Sequence, residues 1–206
     1  MKNNTIGIID YNIGNITSIK NGFNLIKTET YVSNKPEEIE KFNKIVLIGV
    51  GSFPAAMKNL HQYGFSKLLI NHAKRGGYIL GICVGMQLLM SEGNEFIKTP
   101  GLDIIQGNVN LMSENNDIKV PHVGWNNFEN VDNINLFKNI DIGSNFYFVH
   151  SYAVKITEKG VKKMEFNYSG KNFIGAIQYK NIFGVQFHPE KSQESGLQLL
   201  KNFSNL

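Results

Sequence analysis

Residues 78–90, Tyr78-Ile79-Leu80-Gly81-Ile82-Cys83-Val84-Gly85-Met86-Gln87-Leu88-Leu89-Met90, change character in mid-stretch. Tyr78 to Ile82 is a continuous apolar run whose length suits a strand buried on both faces. Met86 to Met90 reads as the start of a helix. Gly81 and Gly85 flank Cys83 at −2 and +2, the pattern of a nucleophile elbow with cysteine in place of serine. A sharp strand-to-helix turn forces the central residue into an uncommon φ/ψ region, and side chains at −2 and +2 would collide there. The helix N-terminus beneath Cys83 favours its thiolate. A lone cysteine is ordinarily a small buried hydrophobe; the glycine frame is what marks Cys83 as a candidate nucleophile.

Working toward the N-terminus, Lys44-Ile45-Val46-Leu47-Ile48 reads as a buried strand and Thr5 to Ile9 as another, with Tyr31-Val32 a short third. Ile16, Ile19, Phe23 and Ile26 recur at steps of three and four and form one face of a helix. Leu60 to Lys74 reads as a helix closed by Gly76-Gly77. Strands alternating with helices predict βαβ units and a parallel sheet. Beyond about residue 105 the texture changes to short strand-like runs at 107–112, 146–152, 173–179 and 182–187, separated by Asn, Asp and Gly turns. Leu197, Leu200 and Phe203 suggest a closing amphipathic helix. The expected architecture is α/β, a mostly parallel open sheet flanked by helices, with antiparallel strands added in the second half. No repeat, low-complexity tract or linker divides it, so a single domain over residues 1–206 is expected.

The chain has 206 residues, enough to bury a core without staples, and one cysteine. That excludes an internal disulfide and a multi-cysteine zinc site. Nothing at the N-terminus reads as a secretory segment, and no apolar run approaches the roughly 20 residues that span a bilayer. A cytoplasmic protein is expected. The net charge of +4 and the pI of about 9.0 raise a nucleic-acid reading. Arg75 is the sole arginine, however, and the lysines are scattered, which describes a solvated surface rather than a phosphate-binding stripe. The five histidines, His61, His72, His122, His150 and His188, show no metal-ligand spacing, so neither metal nor other cofactor is expected.

Two further segments bear on chemistry. In His188-Pro189-Glu190, residues i and i+2 of an extended strand would point to one face, and Pro189 excludes a helix. An imidazole beside a carboxylate that orients it is the logic of a nucleophile–histidine–acid triad. Gly49-Val50-Gly51 follows a buried strand at its carboxyl end, where open α/β sheets place their ligands. It lacks the spacing of a phosphate loop, because Pro54 stands where a third glycine is required. It better suits a flexible backbone that offers N–H groups to an oxyanion.

The Cys83 elbow, the glycine loop and His188-Pro189-Glu190, in that order, resemble the triad-type (class I) glutamine amidotransferases. Three more segments narrow the resemblance: Asp10-Tyr11-x-x-Gly14-Asn15, Pro121-His122-Val123-Gly124-Trp125-Asn126 and Phe148-Val149-His150-Ser151-Tyr152. The set is similar to the glutaminase subunits of imidazole glycerol phosphate synthases, and it runs from about residue 5 to 203. The resemblance implies a flavodoxin-like core, a Cys83–His188–Glu190 triad, and an oxyanion hole from Val50 and Val84. Gly51, Gln87, Ser151 and Tyr152 would bind glutamine. Asn15, Trp125 and Lys191 would face a (β/α)8-barrel cyclase in a heterodimer that receives ammonia. That cyclase would make imidazole glycerol phosphate and an aminoimidazole carboxamide ribotide for histidine synthesis. Departures are Ile48 in place of proline, Val84 in place of leucine and Asn12 in place of glycine. Two alternatives stay open: the same half-reaction serving another acceptor, as in surface-sugar amidination, and a cysteine-elbow hydrolase or stress module of the DJ-1 type.

Overall fold

The computed structural model describes residues 5–113, 118–128 and 134–206. Its first half runs β1 (Ile6–Ile9), α1 (Ile16–Leu25), β2 (Thr30–Ser33), α2 (Pro36–Ile39), β3 (Lys44–Gly49), α3 (Phe53–Gln62), α4 (Phe65–Lys74), β4 (Tyr78–Cys83) and α5 (Val84–Gln87). The second half adds β5 (Met90–Gly93), β6 (Thr99–Pro100), β7 (Ile105–Leu111), β8 (His122–Asn126), β9 (Phe146–His150), β10 (Tyr152–Ile156), β11 (Lys162–Tyr168), β12 (Lys171–Tyr179), β13 (Ile182–Val185) and α6 (Gln193–Ser204). Short 3₁₀ turns occupy Asn135–Phe137 and Pro189–Lys191.

A seven-stranded sheet in the order β11-β12-β13-β4-β3-β1-β2 forms the frame. From β13 through β2 all neighbours are parallel, and β12 and β11 extend the sheet antiparallel. The order β2-β1-β3-β4-β13 is the flavodoxin-like doubly wound arrangement. Strands β1 and β3 are buried along their whole length, as parallel strands covered on both faces must be. Their Ile, Val and Leu side chains suit a pleated, crowded surface. Helix α1 begins at Asn15, whose side chain accepts from the Ser18 N–H at 3.1 Å, and it buries Ile19 and Phe23. Helix α6 packs on α1 and buries Leu199, Leu200 and Phe203. No helix among the described residues is long and apolar enough to cross a membrane.

Three expectations change. The single helix over 60–74 is two, α3 and α4, because Gly64 takes φ +77° between them. A left-handed glycine ends the first helix and starts the second. The helix after Cys83 is only α5, four residues long, and the chain enters β5 by Met90. The second-half strands do not all join the parallel sheet. Only β11, β12 and β13 do; β10-β7-β5-β6 form a separate four-stranded sheet, and β8 pairs with β9 alone. The run at 146–152 is therefore two strands. The chain leaves β9, paired with β8, and at Ser151 passes into β10, paired with β7.

Candidate active site

Strands β3, β4 and β13 all end at the same edge of the frame, and the site is built just beyond them. Gly49 at the end of β3 lies in register with Cys83 at the end of β4. Cys83 takes φ 55° and ψ −115°, a strained conformation for a residue with a Cβ. The flanking glycines are sterically required. A Cβ on Gly81 would sit 2.7 Å from the Gly85 carbonyl oxygen, and one on Gly85 would run into the carbonyl oxygen of Leu47. With only four residues, α5 lends little macrodipole, so the polarity around the sulfur comes from side chains.

Those side chains are His188, Glu190 and Gln186. His188 is 3% exposed and its Nδ1 lies 2.8 Å from Glu190 Oε1. The pair meets differently from the expectation. Strand β13 stops at Val185, and the approach comes from the 3₁₀ turn at Pro189–Lys191, which folds the carboxylate back under the ring. Strand β9 holds that turn. The His188 N–H donates to the Tyr147 carbonyl at 2.9 Å, the Tyr147 N–H donates to Ser192 Oγ at 3.0 Å, and Ser192 Oγ donates to the His188 carbonyl at 2.6 Å. Burial opposes charge on His188, but hydrogen bonds to Cys83 and Glu190, with the negative charge of both, push its pKa up to about 10. A protonated imidazole beside Cys83 is the setting that holds a thiolate. Gln186 is fully buried and its Nε2 donates to Cys83 Sγ at 3.7 Å.

Cys83 and His188 open onto a cavity of about 260 Å³ lined also by Val50, Gly51, Val84, Gln87, Glu95, Val149, His150, Ser151 and Tyr152. Thus Val50, Val84, Gly51, Gln87, Ser151 and Tyr152, all singled out from sequence, come together with the cysteine and the histidine. Gln87 is 3% exposed, and its Nε2 donates to the Tyr152 carbonyl at 3.1 Å and to Gln186 Oε1 at 3.0 Å. It ties β10 to the wall behind Cys83. Asn12, where the resembled family has glycine, takes φ 61°, a left-handed position that asparagine tolerates. Ile48 is a fully buried residue of β3.

Glu95 and Gln186 are absent from the sequence expectations, and His150 enters them only within the segment Phe148–Tyr152 and among the histidines without metal-ligand spacing. Glu95 Oε2 accepts from the Phe53 N–H at 2.7 Å, and burial pushes its pKa up. It lies in the turn between β5 and β6, and no local motif surrounds it. Gln186 stands two residues before His188, a spacing that could have flagged it. Asn15, Trp125 and Lys191 lie outside the cavity. Trp125 is 48% exposed and meets Tyr147 edge-on at 5.8 Å between ring centroids, and Lys191 Nζ lies 5.7 Å over the same tyrosine ring. Val123 and Val149, directly paired across β8 and β9, are also exposed.

A cysteine in an elbow, a histidine and a buried carboxylate that meet at the carboxyl ends of parallel strands are the parts of a cysteine-dependent acyl-transfer site. The chain matches the glutamine amidotransferase class-I family over residues 8–205, and it belongs to that family of enzymes. Among solved structures, a glutamine amidotransferase superposes with TM-score 0.72 at 16% identity, covering 98% of this chain and 99% of that one. PurLQS from Thermotoga maritima superposes with TM-score 0.69 at 16% identity, covering 98% and 97%. Relatives closer in sequence narrow the family. Imidazole glycerol phosphate synthase subunit HisH of Chlorobaculum tepidum is 42% identical over 96% of this chain and 98% of its own. Subunit HisH 1 of Methanococcus maripaludis is 43% identical over 98% and 99%. Within the class I glutamine amidotransferases, the chain belongs with these HisH subunits.

Proposed function

We propose that the chain, acting as one domain over residues 1–206 without a cofactor, hydrolyses L-glutamine and hands the ammonia to a (β/α)8-barrel cyclase subunit in histidine biosynthesis. The observation that carries this is the meeting of Cys83, His188 and Glu190 beside a cavity of about 260 Å³, smaller than the roughly 300–1,000 Å³ of drug-sized sites. The Cys83 thiolate attacks the side-chain amide carbon, and the oxyanion takes hydrogen bonds from the backbone N–H groups of Val84 and Val50. His188 gives its proton to the amide nitrogen, the C–N bond breaks and ammonia leaves. Water then attacks the thioester, His188 takes the water's proton, and glutamate departs with the thiolate restored. Glu190 holds the imidazole in the tautomer that presents its other nitrogen to sulfur. Gly51, Gln87, Ser151 and Tyr152 seat the amino acid, and Glu95, the carboxylate of the cavity lining, faces its α-ammonium.

The exposed ribbon of Val123, Trp125 and Val149, with Lys191, is the face we assign to the cyclase, together with Asn15. Val149 also lines the cavity, so a partner seated there covers its mouth. Direct transfer keeps ammonia from being protonated in bulk water. The cyclase then makes imidazole glycerol phosphate and the aminoimidazole carboxamide ribotide. The free buried thiol fits a reducing cytoplasm. The test is glutamate release from glutamine by wild type and Cys83→Ala, alone and with a histidine-pathway cyclase and its ribotide ligand. We expect turnover stimulated by the partner and lowered at least about 10³-fold in Cys83→Ala. Turnover that no such cyclase stimulates would assign the ammonia to another acceptor, and turnover surviving Cys83→Ala would overturn the site.

A further inference from the structure

Tyr11 is a phenol in the wrong place for packing alone. It follows β1, is 0% exposed, and its hydroxyl has no hydrogen-bond partner among the described residues. Buried hydroxyls without a partner are rare enough in folded proteins that each calls for a cause. Its surroundings supply one. A Cβ built on Gly49 would lie 2.6 Å from the Tyr11 hydroxyl oxygen, 3.0 Å from Val84 Cβ and 3.1 Å from the Gly85 nitrogen. The hydroxyl thus occupies the seam between the end of β3 and the elbow, which carry the two N–H groups assigned to the oxyanion. Glycine at 49 is what leaves room for it.

The peptide joining Gly49 to Val50 is planar, so its N–H and C=O point in opposite directions. Tyr11 does not line the cavity, whereas Val50 and Gly51 do. A Val50 N–H turned into the cavity therefore turns the Gly49 carbonyl away from it, and the Tyr11 hydroxyl is the unpartnered buried donor beside Gly49. We propose that Tyr11 is a positioning residue for turnover: its hydroxyl donates to the Gly49 carbonyl in the reacting state and so holds the Val50 N–H on the oxyanion. Burial, with the negative charge of Cys83 nearby, raises the phenol's pKa, so the group keeps its proton and remains a donor. The assignment rests on the reading of Val50 and Val84 as oxyanion donors.

The test is Tyr11→Phe, which removes one oxygen and leaves the ring in place, measured in the complex with the cyclase and its ligand. Glutamate release should fall about 10-fold or more in kcat, with the KM for glutamine within about two-fold of wild type. The rate of Cys83 alkylation by iodoacetamide should be unchanged from pH 6 to 9, and Tm unchanged or raised, because the hydroxyl removed had no protein partner. A kcat within two-fold of wild type overturns the role. So does a loss of kcat that comes with lower Tm and altered alkylation, which would make Tyr11 a packing residue. Cys83→Ala run beside it separates the two layers. Turnover surviving Cys83→Ala overturns the site and Tyr11's role with it, while turnover abolished by Cys83→Ala and untouched by Tyr11→Phe overturns Tyr11 alone.

Discussion

Two parts of the cavity lining differ in origin. Cys83, Val84 and Gln87 come from one continuous stretch, where β4 turns into α5, and their placement follows from local sterics. Glu95, His150, Ser151 and Tyr152 come from the β5–β6 turn and the β9–β10 junction, segments more than fifty residues apart that meet through β7 and through Gln87. The first group is fixed by what its glycines forbid. The second is fixed by which strands choose to pair. The proposed nucleophile belongs to the first part and the proposed hold on the α-groups to the second, so damage to each should read out differently.

Gly85→Ala should cause the largest change, because it attacks the locally determined wall. The added Cβ meets the Leu47 carbonyl oxygen, a backbone atom in the middle of β3 with little freedom to move. Overpacking of this kind costs about 3 kcal/mol or more. For a chain of this size that lowers Tm by about 6–12 °C. Glutamate release should fall at least about 100-fold, since a shift of about 1 Å in a nucleophile is enough for that. Thermal melts and turnover on the same preparation check both; wild-type Tm with wild-type turnover would show that the elbow tolerates a side chain.

The same contrast explains what could be read in the sequence. Tyr78 to Gly85 announces strand, elbow and candidate nucleophile because the apolar run, the glycine frame and the cysteine all fall within eight residues, although the atom that forbids a side chain at Gly85 belongs to Leu47 of β3. His188 and Glu190 are likewise neighbours, and their pairing is legible although a 3₁₀ turn rather than a strand brings them together. The four-stranded sheet was hidden. Alternation in Ile105–Leu111 shows that a strand exists but not that it pairs with Tyr152–Ile156 rather than with the frame. Lys162–Tyr168 hides for another reason: it is an edge strand whose charged residues mask its pattern. Glu95 carries no local signature, because its meaning comes only from the cavity it faces.

Glu95→Gln should sharpen the contrast with a smaller and different effect. Gln still accepts the Phe53 N–H, so the β5–β6 turn keeps its anchor and Tm should stay within about 2 °C. What is lost is the charge opposite the α-ammonium, worth roughly 1.5–3 kcal/mol in a charge-assisted hydrogen bond. The KM for glutamine should rise about 10- to 100-fold, with kcat within a few-fold. Steady-state kinetics decide it, and a fall in kcat at constant KM would move Glu95 from substrate binding into the chemistry.

The smallest effect concerns the joint between the two regions. His150 is buried at the end of β9; its Nδ1 lies 2.9 Å from the Tyr152 carbonyl and its Nε2 lies 3.4 Å from His122 Nδ1. A carbonyl only accepts, so Nδ1 of His150 carries its proton, and Nε2 is left to accept from His122. The His150 ring is then neutral. Burial, outweighing the hydrogen bond to Tyr152 and helped by the positive charges of His122 and His188, holds the His150 pKa down to about 3. The unfolded chain, with an ordinary value near 6.5, takes up that proton first. Stability from His150 is therefore present above about pH 6.5 and drains as pH falls toward 3, at roughly 1.4 kcal/mol per pH unit. His188 has the opposite sign: its raised pKa keeps its contribution below pH 6.5 and loses it as pH climbs toward about 10. His150→Gln removes the first effect and leaves the second. Between pH 6.5 and 5.0 the wild type should lose about 1.6 kcal/mol more unfolding free energy in urea than His150→Gln does. Equal losses in the two proteins would mean that His150 titrates alike in the folded and the unfolded chain, and the neutral bridge between β8 and the cavity would have to be abandoned.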